Sequence, residues 1–435
     1  MAGGEFTGQN KRRPGAYINI VGTSTPGTAE NTTGVVALPL ALDFGPEKTI
    51  VEVSATSDLT LFGYDLGSEK MLLLREALKR ASRVLVGRVG TGAKATATVG
   101  TITATALYGG ARGNDIKVVA KALVDDPTTF SVETYLGARL VDAQNAKTVG
   151  ELKANVLVKF SGTGAITAAS VALSAGTDTA PVTQDYMDFF GAVQVYTFNT
   201  LALPVSDSAI KTAGASFIKR LRAEEGKYCQ LVLAGHTADT EAVINVKNGV
   251  VLADGTTLTA EQATAWVAGA RAAAGMSDSL TYTAYDGAVD VAPRYLSSEI
   301  TEALGRGEFV FTESRGRAVV EQDINSLVTY SSTKTKEFAK NAILAILDGF
   351  ANESKQTFED FYIGSVRNTV QGRDLFAANR VERLIQMQTD GLIENFSAED
   401  DVKIQLGNAK DSVVMTVGIE PTDAMEKLYM TVTMV

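Results

Sequence analysis

His236 is the only histidine in the chain, and so the only side chain that would titrate near neutrality without a perturbed pKa. It follows the apolar run Leu231 to Ala234 in Gly235 His236 Thr237 Ala238 Asp239, a loop position where a general base can sit. Acyl transfer would also require a serine nucleophile and an acid gathered around it. No serine stands in a Gly-x-Ser-x-Gly elbow. Phosphate binding has no better support. The pair Gly226 Lys227 runs into Tyr228 where a P-loop needs Ser or Thr, and no Gly-x-Gly-x-x-Gly opens a helix. Glu399 Asp400 Asp401 are consecutive, whereas a calcium loop spaces its ligands, so they read as a solvated loop before a strand. The lone Cys229 excludes an internal disulfide and any multi-cysteine metal site. Within Tyr228 Cys229 Gln230 Leu231 Val232 Leu233 it reads as core packing. These residues imply no catalytic site, no cofactor and no metal.

Composition narrows the class further. With 435 residues, 45% of them hydrophobic and 21% charged, the chain can form two to four domains with sizeable cores. It contains no apolar run long enough to cross a bilayer. The opening Met1 Ala2 Gly3 Gly4 Glu5 Phe6 lacks the cationic and apolar regions of a secretory signal, so cytoplasmic synthesis and assembly are expected. A net charge of −10 argues against coating nucleic acid. The basic cluster Lys11 Arg12 Arg13 is better suited to docking on the acidic body of another copy.

The elements that would carry any site alternate between helix and strand. The run Val35 to Leu40 predicts a buried strand, and residues 69–82 predict a helix capped by Ser68, with Leu72, Leu73, Leu74, Ala77, Leu78 and Ala81 at helical spacing. A strand is expected at 84–89. Residues 91–179 then turn rich in Thr, Ala, Gly and Val, with strands expected at 116–123, 129–136 and 156–160 and a short helix at 148–155. Alternation resumes with helices at 183–191, 206–225, 259–274 and 297–304, and strands at 195–203, 228–234, 307–312 and 318–324. The region from 335 predicts two helices, the second at 373–388, followed by strands around 402–406 and 413–419. The implied architecture is a split α/β core of doubly wound type, interrupted by a mainly β domain and followed by a small α+β domain. The corresponding segments are an N-terminal arm (1–21), the first stretch of the core (22–90), the inserted β domain (91–180), the second stretch of the core (181–333), a C-terminal domain (334–424) and a C-terminal arm (425–435).

Both ends read as strands. Leu428, Met430, Val432 and Met434 share one face, and Tyr429, Thr431, Thr433 and Val435 the other. Near the N-terminus, Tyr17, Ile18, Asn19, Ile20 and Val21 continue from Ala16, with Ala16, Ile18 and Ile20 on one side. A terminal segment this apolar needs cover, either from its own sheet or by adding to that of a neighbour. In the C-terminal domain, Lys334, Lys336, Lys340, Arg373, Arg380 and Arg383 lie among Asp348, Glu353, Asp360 and Glu382, a pattern that by itself describes a solvated charged face.

Three stretches carry a family resemblance. Gly3 Gly4 followed by Gln9 Asn10 Lys11 Arg12 Arg13 Pro14 Gly15 Ala16 Tyr17 Ile18 Asn19, the phrase Tyr108 Gly109 Gly110 Ala111 Arg112 Gly113 Asn114 Asp115 Ile116, and Ala175 Gly176 Thr177 Asp178 resemble the sheath proteins of contractile phage tails and phage-tail-like bacteriocins, particularly the Gram-positive type. The last stretch departs from the family pattern in having Ala175 for its first glycine. The resemblance spans the chain in order. It implies a core similar in fold to subtilisin but without protease activity, and a non-enzymatic subunit of a six-fold helical sleeve around an inner tail tube. It also implies neighbours linked through their arms by strand addition, a C-terminal domain whose charges include candidate tube contacts, and a baseplate and a tail terminator or collar at the ends. Assembly would occur in a bacterial host's cytoplasm, for a virion tail or a released particle, with no nucleic-acid or membrane partner. The rival readings are a subtilisin-like serine hydrolase and another arm-exchanging virion protein, such as a tube or capsid subunit. The closest text to the subtilisin Gly-Thr-Ser-Met-Ala phrase is Gly275 Met276 Ser277 Asp278, which lacks its flanking small residues.

Overall fold

Thr-, Ala- and Val-rich segments favour the pleated surface of a sheet, and residues 91–179 form two four-stranded sheets. A computed structural model describes residues 2–4, 13, 15–17 and 34–434. It divides the chain into a smaller unit (Leu38–Arg75, Val84–Val195) and a larger one (Met1–Ala37, Glu76–Arg83, Tyr196–Val435).

In the smaller unit, strands Ile116–Ala122, Phe130–Leu136 and Arg139–Ala146 run antiparallel, and Ala169–Ala172 pairs on the other side of the first. The second sheet is the hairpin Thr91–Val99 and Ile102–Gly109, flanked by Thr177–Thr179 and Val158–Ser161. Ile102, Ala104, Ala106, Ile116, Val118, Val132 and Leu157 form one apolar core, to which Phe44 contributes from outside the insertion. The helix expected at 148–155 is a single 3-10 turn, Val149–Glu151. Gly150 weakens helix formation there, and the Asn155 side chain accepts from the amides of Leu157 and Val158, which organises a turn. Helix α1 (Leu72–Leu78) follows a 3-10 turn whose Ser68 cap accepts from Lys70 N. It stops short of the expected residue 82, and in the larger unit Lys79 and Arg80 reach Asp286 while the Ser82 hydroxyl donates to the Gly34 carbonyl. Helix α2 (Thr183–Val193) closes the smaller unit.

The larger unit is built on parallel strands, ordered Glu308–Phe309, Val243–Val246, Gln230–Ala234, Thr200–Ala202 and the start of Val35–Ala41. Strands covered on both faces read as unbroken apolar runs, and Leu231 to Ala234 are almost fully buried. Helix α3 (Ser208–Glu225) is capped by Asp207, which accepts from Ala209 N and Ile210 N, and ends on the left-handed Gly226. Helix α4 (Ala260–Ala274) starts at the Thr259–Gln262 capping box and packs on three of the strands. Gly269 is required in it, since a Cβ there would lie 2.4 Å from the Ala77 carbonyl oxygen. Helix α5 (Ser297–Gly305) precedes the last parallel strand. The expected strand at 195–203 is paired only over Thr200–Ala202. The short strands Gly249–Leu252, Thr257–Leu258 and Ala288–Ala292, which form their own sheet, had no signature in the sequence.

Helices α6 (Asn341–Thr357) and α7 (Val370–Thr389) are linked through a π-turn at Phe358–Tyr362. The antiparallel pair Val402–Leu406 and Val413–Val417 follows. Val402 and Val417 pack beside a core of Met276, Ile346, Leu384, Met387 and Ile393. Arg222 of α3 grips Asp348 of α6 with two hydrogen bonds, of 2.6 and 2.8 Å.

Candidate functional site in the terminal segments and C-terminal domain

The residues with potential chemistry occupy structural positions. His236 donates its backbone N–H to Asn245 Oδ1 at 3.1 Å, and burial together with the Lys211 charge lowers its pKa. Ser277 is exposed beyond α4, and among the described residues no hydrogen bond joins it to His236. Gly226 is a helix cap. Asp400 and Asp401 accept from the hydroxyl and amide of Ser397, forming the first turn of a four-residue helix. Burial pushes the Cys229 thiol up to about 12, so it stays protonated. A cavity lined by Arg88, Asp185, Asp188 and Phe189 has a volume of about 20 Å³, room for one water molecule.

The two motifs inside the β domain meet in space. Asn114 donates through Nδ2 to the Gly176 carbonyl (2.9 Å) and accepts from Gly176 N (2.8 Å), while Asp178 Oδ1 accepts from Ala111 N (2.6 Å). A Cβ on Gly110 would lie 1.8 Å from the Asp43 carbonyl oxygen, so only glycine fits. Ala175 holds a left-handed φ of 65°, which explains why the family pattern has glycine there.

The arms behave differently at the two ends. Ala2–Gly4 pairs in parallel with Gly15–Tyr17, Gly4 opposite Tyr17, and the Tyr17 hydroxyl donates to the Arg13 carbonyl. These strands lie against α3 and α6 of the same chain. Among the described residues, Tyr17 thus has a backbone partner in its own chain on one edge of its strand. Ile18, Asn19, Ile20 and Val21 lie outside the described residues, as do Lys11 and Arg12.

At the C-terminus, residues 427–434 are exposed and form no ladder in the single chain. Leu428 is 83% exposed, Tyr429 90%, Met430 73% and Val432 82%, with Thr431, Thr433 and Met434 equally open. The strand expected here is therefore not formed, because a strand needs a partner edge and, among the described residues, none pairs with this segment.

The six basic residues do not form one open face. Arg380 is 3% exposed and bonds Asn379, Thr357 and Ser354, which corrects its reading as a surface charge. Arg383 pairs with Glu353, and Arg373 donates to Asn368. Lys334 pairs with Glu241 at 2.5 Å, and Lys340 with Glu426 at 2.6 Å and Asp423 at 3.2 Å. Lys336 is exposed. Sequence reasoning missed Glu426, treated only as part of a connecting segment; nothing in its local sequence marks the partners it finds 86 to 145 residues away.

Comparison with known proteins covers nearly the whole chain. Family models match in order: the tail sheath protein Gp18 domain III N-terminal region (33–89), the phage tail sheath protein beta-sandwich domain (90–178), its central domain (179–326) and the phage tail sheath C-terminal domain (333–435). The chain is 39% identical to the phage-like element PBSX protein XkdK of Bacillus subtilis, over 99% of each chain. It is 43% identical to a sheath tail protein of known crystal structure from Desulfitobacterium hafniense, with a TM-score of 0.83 over 94% of this chain and 99% of that one. The contracted helical sheath of the anti-feeding prophage shares the fold at 12% identity, with a TM-score of 0.56 over 97% of this chain and 99% of that one.

Proposed function

Since this chain belongs to the phage tail sheath protein family, we propose that it polymerises through its C-terminal arm into a contractile helical sleeve of six-fold rings around an inner tail tube. The observation that carries this reading is the arm itself: alternating apolar side chains, exposed, with no strand partner among the described residues. The pair Val402–Leu406 and Val413–Val417 forms a sheet of only two strands, so both its edges are open for a neighbour's arm. An arm of about eight residues would make four to eight backbone hydrogen bonds, each about 1 kcal/mol net. Burying Met430, Val432 and Met434 adds about 1.5–3 kcal/mol per side chain before ordering losses. Junctions of that strength persist while the bodies repack.

Contraction is then a downhill change between two packings of linked subunits, triggered at the baseplate without nucleotide hydrolysis, and it drives the tube through a target envelope. The subunit is structural and not catalytic. Its parallel, helix-flanked strands support the reading of a split, doubly wound, subtilisin-like core, interrupted by the β domain over 91–180 and followed by the C-terminal domain from 334. Lys336 and the paired Arg373 and Arg383 are the remaining candidates for contact with the tube. Assembly takes place in the bacterial cytoplasm, with tube, baseplate and terminator or collar as partners.

The test is a chain lacking 428–435, which retains Glu426. It should be folded and monomeric, with no sheaths or polysheaths in negative-stain micrographs. Normal polymers from this chain would overturn the arm-linked assembly.

A further inference from the structure

We infer that Glu426 is the anchor that fixes where the C-terminal arm leaves the body and carries tension on the arm into the buried core. The inference rests on the arm-linked sleeve proposed above. It concerns the last residue before the chain becomes fully exposed: Glu426 is half-buried, and 427–434 are open throughout. Its carboxylate accepts from three elements at once: Lys340 Nζ at 2.6 Å, Gln322 Nε2 at 2.6 Å and Thr281 Oγ1 at 3.0 Å.

The contacts continue inward. Thr281 Oγ1, while donating to Glu426, accepts from Asp323 N at 3.0 Å. The Asp323 carboxylate, itself buried, accepts from Arg271 Nη1 (3.0 Å), Leu280 N (2.9 Å) and Asn341 Nδ2 (2.8 Å). The root of the arm is thereby joined through two side chains to α4 and to the start of α6. Upstream, Asp423 reaches the same Lys340 at 3.2 Å, and Thr422 donates its N–H to the Leu392 carbonyl and its hydroxyl to that of Gly391. Without Glu426, the point of departure would retreat about three residues, to Asp423, a reach of about 10 Å of slack per junction. A sleeve whose links are slack cannot couple the rotation of one body to the next.

Glu426→Ala and the gentler Glu426→Gln, made in the full-length chain, test this by limited proteolysis of the subunit and by guanidinium disassembly of the sheath. In the parent protein, a nonspecific protease should trim the end back only to about residue 427. In Glu426→Ala it should reach residue 424 about tenfold faster, the loss expected for one charge-assisted contact. Sheaths of the variant should disassemble at lower guanidinium, with Glu426→Gln in between. An unchanged trimming limit, or sheaths as resistant as the parent's, would overturn the anchor. If those results came while the chain lacking 428–435 still failed to polymerise, only the anchor would fall. Polymers from the truncated chain would instead remove the reading beneath it.

Discussion

Ala175 shows how one residue can hold strain inside a turn. A non-glycine residue at a φ of 65° is disfavoured by about 1 kcal/mol. Ala175→Gly should therefore raise the thermal midpoint, checked by calorimetry, and a lowered midpoint would mean that the Ala175 methyl packs more favourably than the backbone suffers. The Arg222–Asp348 pair sits at the other extreme. Burial opposes the charge on Arg222, but the Asp348 carboxylate outweighs that and raises its pKa. Truncating one partner leaves a buried charge uncompensated, so Asp348→Ala should destabilise the fold by about 3–5 kcal/mol in chemical denaturation.

Glu241 adds a pH dependence. Burial would raise its pKa, but Arg222 and the Lys334 hydrogen bond overcome it and leave the carboxyl below its usual range. A group with a depressed folded-state pKa stabilises fully above its unfolded pKa of about 4.3 and loses that contribution as pH falls toward the folded value. Acid denaturation curves should accordingly be shallower below about pH 4 for Glu241→Gln than for the parent. Cys229, with its pKa at about 12, should resist iodoacetamide at pH 8 until the protein is unfolded.

At the scale of elements, the C-terminal arm is the segment whose structure, in the assembly proposed above, depends on another molecule. Val432→Asp would place a charge in a dry strand junction. The expected outcome is a subunit with the parent's circular dichroism and melting temperature but no sheath in micrographs. Wild-type sheaths from this variant would mean that Val432 faces solvent in the polymer. The N-terminal segment differs over its described residues in that Gly15–Tyr17 is already paired on one edge, to Ala2–Gly4. Among the described residues, then, one end has a partner strand in the same chain and the other has none.

For the whole molecule, the β domain and the larger unit each have their own apolar core. The buried ion pair Arg222–Asp348 and the chain Arg271–Asp323–Asn341 tie α6 of the C-terminal domain to α3 and α4 within one unit. Motion during contraction is then expected between subunits, with α3 and α6 moving together. His236→Ala should change neither assembly nor contraction in a sheath contraction assay, whereas loss of either would give that residue a role beyond holding its loop.

Much of this architecture was legible in the amino-acid order, because long helices such as α3, α4 and α7 carry their caps and their 3.6-residue apolar spacing locally, and the period-2 strands of the β domain and of 402–417 do the same. The short strands at Gly249–Leu252 and Ala288–Ala292 were not, since three to five residues hold too little periodicity to stand out. Sequence also determined that the last eight residues form an apolar, alternating segment in need of a partner. Only the tertiary structure decided that no partner pairs with it among the described residues, that Arg380 is inside while Lys336 is outside, and that Glu426 closes on Thr281, Gln322 and Lys340. Each of these depends on groups far apart in the chain being brought within a few ångströms, and such proximity is a property of the fold that no local pattern of residues encodes.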